Sequence, residues 1–320
     1  MSANRAARPL SAASSIDLMG FLCAVGGAGL WGLSFVIPLF LPGISPWDVS
    51  LGRYLVYGAI GATLLWRQHA HGLRLARSDW AYAFLFAATG YYGCYTMLVY
   101  AIEYAGPALP TLVMGLMPVS VAVAGNLRRR EVPFLRLVGP LCAIGFGLAA
   151  VNLARHGDTL SLHNFEIGFA FSLLALLLLT CFLVANLLFL KRRPQVTPLL
   201  WANAIGATLL ALSLLGLVVR LAYSRALPWE GTPTTPLNYL LASLVLGLAV
   251  SWLGGVLWNR ASATLPAALV GQCIVFWPLS GIIYAYMLQG AWPRPAEAGG
   301  MVLVFAGVLW GLRAFRPRKK

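Results

Sequence analysis

The chain has 320 residues, of which 60% are hydrophobic and only 10% are charged, and its formal net charge is +14. This composition excludes a soluble globular protein, because soluble domains contain about 25% charged residues. The basic residues stand in short breaks between apolar runs. That placement argues against a nucleic-acid partner and predicts that these residues orient the chain in a membrane.

Apolar runs long enough to cross a bilayer recur along almost the whole chain. After a cytoplasmic N-terminal tail at residues 1–16, the first run is too long for the core of a signal peptide, so it is predicted to stay as a helix. We expect an all-α integral membrane protein with ten transmembrane helices. Their predicted bounds are 17–40, 46–67, 79–102, 108–127, 132–153, 165–190, 197–221, 237–259, 264–289 and 294–314.

The distribution of Lys and Arg predicts the orientation of these helices. With the N-terminus in the cytoplasm, 18 of the 23 basic residues fall on the cytoplasmic side. Both termini, including the basic tail at residues 315–320, are therefore expected in the cytoplasm.

A pattern of Pro, Ser and Gly residues returns after 160 residues: Pro118, Ser120, Pro133, Gly139 and Gly147 correspond to Pro278, Ser280, Pro293, Gly299 and Gly307. Separately, the stretch AIGATLL at Ala59–Leu65 recurs at Ala204–Leu210. Each copy has an odd number of spans, so the second copy enters the membrane from the opposite side. We expect two inverted five-helix repeats, at residues 17–153 and 165–314, joined by a periplasmic linker at 154–164.

The ten-span layout and the twin Pro–Gly pattern resemble the drug/metabolite transporter superfamily in its two-repeat, EamA-type form. The residues that carry the resemblance are Trp31-Gly32-Leu33-Ser34-Phe35, Arg53, Pro118 with Glu131 and Gly139, and then Pro278, Gly299 and Gly307. The second repeat departs from the first at Ala291, which stands where the first has Glu131. The density of Tyr and Trp in the third, eighth and ninth spans is similar to that of the bacterial aromatic amino-acid exporters. The resemblance implies a multi-pass transporter of the bacterial inner membrane that works by alternating access.

Acidic residues, histidines and cysteines give no sign of catalysis. All nine acidic residues lie in loops or near helix ends, where capping of a helix or pairing with an Arg accounts for them. The four histidines lie in loops, and the five cysteines lie in apolar runs without a metal-type spacing. We expect no enzyme activity, no cofactor and no metal. Because no acid lies deep in a span, we also expect a facilitator and not a proton-coupled pump.

Aromatic, amide and thioether side chains within the spans are candidates for a substrate cavity. Tyr91 and Tyr95 share one helical face far from the ends of the third span, where a polar tip needs a partner. Cavity lining and helix–helix packing both supply such partners, and both roles stay open. The predicted substrate-binding set is Trp31, Ser34, Tyr91, Tyr95, Met114, Met117, Trp252, Asn259, Gln272 and Phe276.

Arg53 lies about two turns inside the outer end of the second span. One interpretation is that it snorkels to the surface or pairs with Asp48. The other is that it marks an outer vestibule, together with Glu103, and attracts a substrate carboxylate.

Pro118 and Pro278 are predicted hinges. A proline removes the amide donor to residue i−4, so the carbonyl groups of Met114 and Ile274 are expected to be open to a substrate ammonium or to water.

These features predict an exporter of aromatic and other bulky apolar amino acids, with an amino-acid substrate and membrane lipid as its partners. A drug-like cation, a nucleoside or another metabolite is the alternative substrate. A membrane-embedded structural or sensor protein, or a lipid-modifying enzyme, is the alternative of another class. The sequence leaves monomer and homodimer both open.

Overall fold

The computed structural model describes residues 18–70, 75–117, 119–121, 123–124, 138–140, 142–143, 145–147, 150, 162–265, 270, 273–290 and 292–314. The described residues form helices and their connections, without a β-strand, so the prediction of an all-α protein is confirmed. Within the part of the chain that the structure describes, four helical segments are long and apolar enough to cross a membrane: Leu18–Phe40, Asn164–Arg192, Pro198–Ser224 and Pro236–Thr264. The count of ten spans and the orientation of the termini stay predictions.

The helices are α1 (Leu18–Gly32), α2 (Pro46–Ala70), α3 (Arg77–Phe86), α4 (Cys94–Ala105), α5 (Ala108–Met114), α6 (Leu162–Arg192), α7 (Pro198–Ser224), α8 (Pro236–Leu244), α9 (Gly254–Thr264), α10 (Phe276–Gln289) and α11 (Pro295–Ala314). A first π-helical segment, Ala87–Gly93, joins α3 to α4, and a second, Val245–Leu253, joins α8 to α9. Two short 3₁₀ turns, Leu33–Phe35 and Ile37–Phe40, extend α1.

Local sequence signals explain where several helices begin. α7 and α8 both start at a Thr-Pro pair: the side chains of Thr197 and Thr235 accept a hydrogen bond from the first turn, and the proline occupies the first helical position. Asp79 and Glu297 lie in first turns and accept backbone N–H bonds of 3.0 Å and 2.9 Å. These two acids cap helix starts, as the sequence predicts.

α2 and α7 cross with their backbones in contact. A Cβ atom added to Gly61 would lie 2.9 Å from the Cα atom of Gly206, and one added to Gly206 would lie 3.0 Å from that of Gly61. The two glycines hold the same place in the repeated AIGATLL stretch. Contact between equivalent residues is the geometry expected at a two-fold axis relating the copies.

Other helix contacts have the arrangement expected for the same predicted two-fold axis. α1 packs against α9 and α10, and α6 packs in the corresponding way against α4 and α5. The two π-helical segments also fall in corresponding helices. The predicted linker at 154–164 lies outside the described residues except for its last three positions, and the division into two repeats stays a prediction.

The helices are interrupted just before each repeated proline. α5 ends at Met114 and a turn follows, while a second turn at Ile274 precedes α10. Pro278 lies in the first turn of α10, where its missing N–H removes no helical bond. The carbonyl of Ile274 accepts a hydrogen bond from the N–H of Trp277 at 3.1 Å, so a donor from the following turn replaces the one that Pro278 lacks. Pro118 lies outside the described residues, and the hinge role of both prolines stays a prediction.

The glycine crossing predicts a specific cost of adding a methyl group. Gly61→Ala places that group against backbone atoms of α7, which cannot move aside as a flexible side chain can. We expect the free energy of unfolding to fall by about 1–3 kcal/mol, measured by SDS titration in mixed micelles. Gly29→Ala is the matched control, because nothing lies within 4 Å of a Cβ atom there. Equal losses in the two variants would contradict the close approach.

Candidate functional site

A cavity of about 50 Å³ lies between α1, α2, α4, α6, α10 and the first π-helical segment. This volume has room for a few water molecules, so a solute of amino-acid size fits only after the walls move apart. The lining is mainly aromatic and apolar: Trp31, Ser34, Arg53, Tyr54, Gly90, Tyr91, Cys94, Tyr95, Leu98, Leu179, Phe182 and Trp277.

Arg53 is the charged residue of this lining, and only 6% of it is exposed. Its Nε donates a hydrogen bond to Ser251 Oγ at 2.7 Å, and its Cζ lies 3.9 Å from the centre of the Tyr95 ring. A cation over an aromatic face is stabilised by about 2 kcal/mol when both are desolvated. Inserting an Arg at the centre of a membrane helix costs about 2.5–3.5 kcal/mol, so such a residue generally has a function.

Asp48 is not the partner of Arg53. Its Oδ1 accepts a hydrogen bond from Arg220 Nε at 2.7 Å, and its Oδ2 accepts one from Ser45 at 2.9 Å. These contacts join the start of α2 to the end of α7. The predicted Arg53–Asp48 pair is therefore wrong. Snorkelling to the surface is also wrong, because Arg53 is buried beside the cavity.

Both π-helical segments are bonded to adjacent residues of α2. Ser251, in the second segment, accepts from Arg53 and donates to the carbonyl of Leu246 at 2.9 Å. Tyr54 donates from its hydroxyl to the carbonyl of Tyr91, in the first segment, at 2.8 Å. Segments of this geometry occur frequently at functional sites. Here α2 holds the two segments at one place, beside the cavity.

Aromatic rings make up much of the remaining wall. The Trp277 ring lies 6.0 Å from that of Trp31 and 5.3 Å from that of Phe35, centre to centre. The indole N–H of Trp277 donates to Ser34 Oγ at 3.4 Å. Elsewhere in the lining, the Phe182 ring of α6 meets the Tyr91 ring edge-on, with the ring centres 5.2 Å apart.

Of the nine residues of the predicted set that the structure describes, four line this cavity, and Arg53 lines it with them. The residues on the cavity are Trp31, Ser34, Tyr91, Tyr95 and Arg53. Of the other residues predicted for the site, Met114 and Met117 are fully buried, Phe276 is half-buried at the start of α10 and Glu103 is exposed. Gln272 lies outside the described residues.

Two further predicted residues belong to amide networks away from the cavity. Trp252 donates from its indole N–H to Asn203 at 2.9 Å. Asn259 accepts from Asn186 at 3.1 Å, and Asn186 in turn accepts from the indole of Trp201 at 2.7 Å. These side chains satisfy one another and join α6, α7 and α9. For Trp252 and Asn259 the geometry favours the packing interpretation.

The predicted set omitted several residues that shape the site, among them Tyr54, Ser251, Phe182 and Trp277. Tyr54 shares a buried face of α2 with Tyr57 and Gly61, at helical spacing, so that pattern was available in the sequence. Ser251 and Phe182 stand in long apolar runs that give no signal of their partners.

Comparisons relate the chain to known proteins. The pattern of the EamA-like transporter family matches residues 18–153. Inner membrane protein YtfF of Escherichia coli (strain K12) is 31% identical over 312 residues, covering 94% of this chain and 97% of YtfF. A protein of known crystal structure is similar over 91% of this chain and 95% of its own, with a TM-score of 0.63 and 17% identity. This last likeness concerns the fold alone.

The amide network predicts a loss of stability from one substitution. Asn186→Ala leaves the indole N–H of Trp201 and the amide of Asn259 without their partner in a buried place. We expect the free energy of unfolding to fall by about 1–3 kcal/mol in an SDS titration. Asn238→Ala, at an exposed amide, is the control. If Asn186→Ala costs no more than this control, the network does not hold the helices together.

Proposed function

The chain belongs to the EamA-like transporter family of the drug/metabolite transporter superfamily, and from that premise we propose that it exports aromatic and other bulky apolar amino acids. The proposed location is the bacterial inner membrane, which the similarity to inner membrane protein YtfF supports. The proposed mechanism is alternating access, with the solute moving down its own gradient.

The observation that carries this proposal is the aromatic lining of the cavity. Trp31, Tyr95, Phe182 and Trp277 surround it from four different helices. Ring pairs contribute about 0.5–1.5 kcal/mol each beyond the burial of apolar area. Such walls suit a flat or bulky apolar side chain better than a small polar one.

The position of α10 supports a way for the cavity to widen. This helix carries Trp277 to the cavity and begins directly after the turn at Ile274. We propose that rotation at this turn, next to Pro278, moves the Trp277 ring away from Trp31 and admits the solute.

The placement of buried acids supports transport without proton coupling. Among the described residues the buried acids are Asp48, Asp79 and Glu297, and each lies in the first turn of a helix. None of them lines the cavity. Coupling to protons commonly uses an ionisable acid within the transport path.

Efflux from proteoliposomes tests the proposed function. Labelled phenylalanine should leave loaded vesicles without a pH gradient, and tryptophan or leucine should compete with it. Tyr95→Ala should lower the rate about tenfold, because a ring contact with the solute is lost. Tyr100→Ala is the control: its ring stacks on Phe171 at 5.0 Å and does not line the cavity.

Three results would count against the proposal. Strict dependence on a pH gradient would remove the facilitator mechanism. Preference for a drug-like cation or a nucleoside over phenylalanine would replace the substrate class. Equal rates for Tyr95→Ala and Tyr100→Ala would remove this cavity from the transport path.

A further inference from the structure

Arg53 carries a buried hydrogen-bond donor without a partner beside the cavity. Its Nη1 has no hydrogen-bond partner among the described residues, although Arg53 is 6% exposed. The Tyr95 hydroxyl, on a residue 4% exposed, has no partner there either. Both side chains line the same cavity. Two buried polar groups that can donate thus lie side by side, and neither donates to a carboxylate in the described part of the chain.

Carboxylates of the described chain do not neutralise this charge. The ion pairs of the buried acids Asp48 and Asp79 are made with Arg220 and Arg193. A buried guanidinium normally has an anionic partner, because the cost of desolvating it is otherwise uncompensated. An anion supplied by the solute meets that requirement.

The guanidinium is oriented before any solute arrives. Its Nε is bonded to Ser251, and its carbon lies 3.9 Å from the centre of the Tyr95 ring. These contacts hold the planar group in place, so binding costs little further ordering.

We propose that Arg53 binds the carboxylate of the transported solute, with the Tyr95 hydroxyl as a second donor, while the aromatic rings hold its apolar side chain. A guanidinium pairs with a carboxylate through parallel hydrogen bonds, and the opposite charges strengthen them. The inference rests on the proposed function in taking this cavity as the substrate site. It goes further by naming the carboxylate, and not the ammonium group, as the feature recognised.

The substrate class that follows is aromatic monocarboxylates, with or without an amino group. The described lining contains Arg53 as its charged residue and offers an ammonium group no carboxylate. Organic cations that lack a carboxylate are repelled by the same charge. A phosphate dianion would be left half-neutralised, since the described lining has no second cation.

Three ligands of similar size separate the charged groups. Phenylalanine carries both groups, 3-phenylpropionate carries only the carboxylate, and phenethylamine carries only the ammonium. Dissociation constants can be measured in detergent by tryptophan fluorescence, because Trp31 and Trp277 line the cavity. We expect wild-type protein to bind the two carboxylates with similar affinity and phenethylamine at least about tenfold more weakly.

Substitutions then assign the effect to the two donors. Arg53→Gln should raise the dissociation constants of both carboxylates by about 30-fold or more. Arg53→Lys, which keeps the charge and loses the planar fork, should give an intermediate loss. Arg260→Gln makes the same chemical change at an exposed residue of α9 and should bind as wild type does. Tyr95→Phe should weaken carboxylate binding several-fold without disturbing the fold, since its hydroxyl bonds to no described residue.

The outcomes distinguish this inference from the proposed function. If Arg53→Lys and Tyr95→Phe bind both carboxylates as tightly as wild type, the assignment of Arg53 is overturned, whether or not Arg53→Gln folds. Phenethylamine binding as well as phenylalanine in wild type would also overturn it. If wild type binds 3-phenylpropionate and fails to bind phenylalanine, the carboxylate site stands and amino-acid export is wrong. If the protein exports phenylalanine but the variants bind it with unchanged affinity, the proposed export stands and the assignment of Arg53 is overturned.

Discussion

The backbone contact between Gly61 and Gly206 is the constraint on which the position of the site depends. Between membrane helices the hydrophobic effect adds little, and close packing at small residues provides much of the attraction. Here the small residues come from the two copies of one sequence stretch. A second close approach, of Gly247 to the carbonyl of Arg53, brings the second π-helical segment against α2. Together the two contacts place Arg53 and Tyr54 where both π-helical segments can bond to them.

In this position the buried charge of Arg53 is only partly satisfied by its neighbours. One donor of Arg53 is satisfied by Ser251 and its face is covered by Tyr95, but Nη1 is unpaired within the described chain. The surrounding rings lower the local dielectric and strengthen any ionic contact made there. A carboxylate that enters this cavity therefore gains more from the guanidinium than it would at a water-filled surface. The same surroundings explain why the bulky side chain of a solute is also bound.

Much of the framework could be predicted from the sequence, because apolar runs and caps depend on local residues. The helices α2, α6, α7 and α11 coincide with predicted spans to within three residues. The setting of Arg53 could not be predicted, since Asp48 is five positions away yet pairs with α7 through tertiary packing. Tyr95 and Trp252 both carry a polar side-chain tip far from the ends of a predicted span, so the sequence predicts the same role for both. In the structure Tyr95 lines the cavity, whereas Trp252 bonds to Asn203. Only the neighbouring helices decide between those roles.

A structure determined with phenylalanine bound tests the assignment of this cavity most directly. We expect the ligand carboxylate to lie within about 3 Å of Arg53 Nη1. We also expect the ligand ring to lie between Phe182 and Trp277, with the Trp277 indole displaced from Trp31. Phenylalanine bound elsewhere, with Arg53 and the aromatic walls unchanged, would contradict the assignment of this cavity as the transport site.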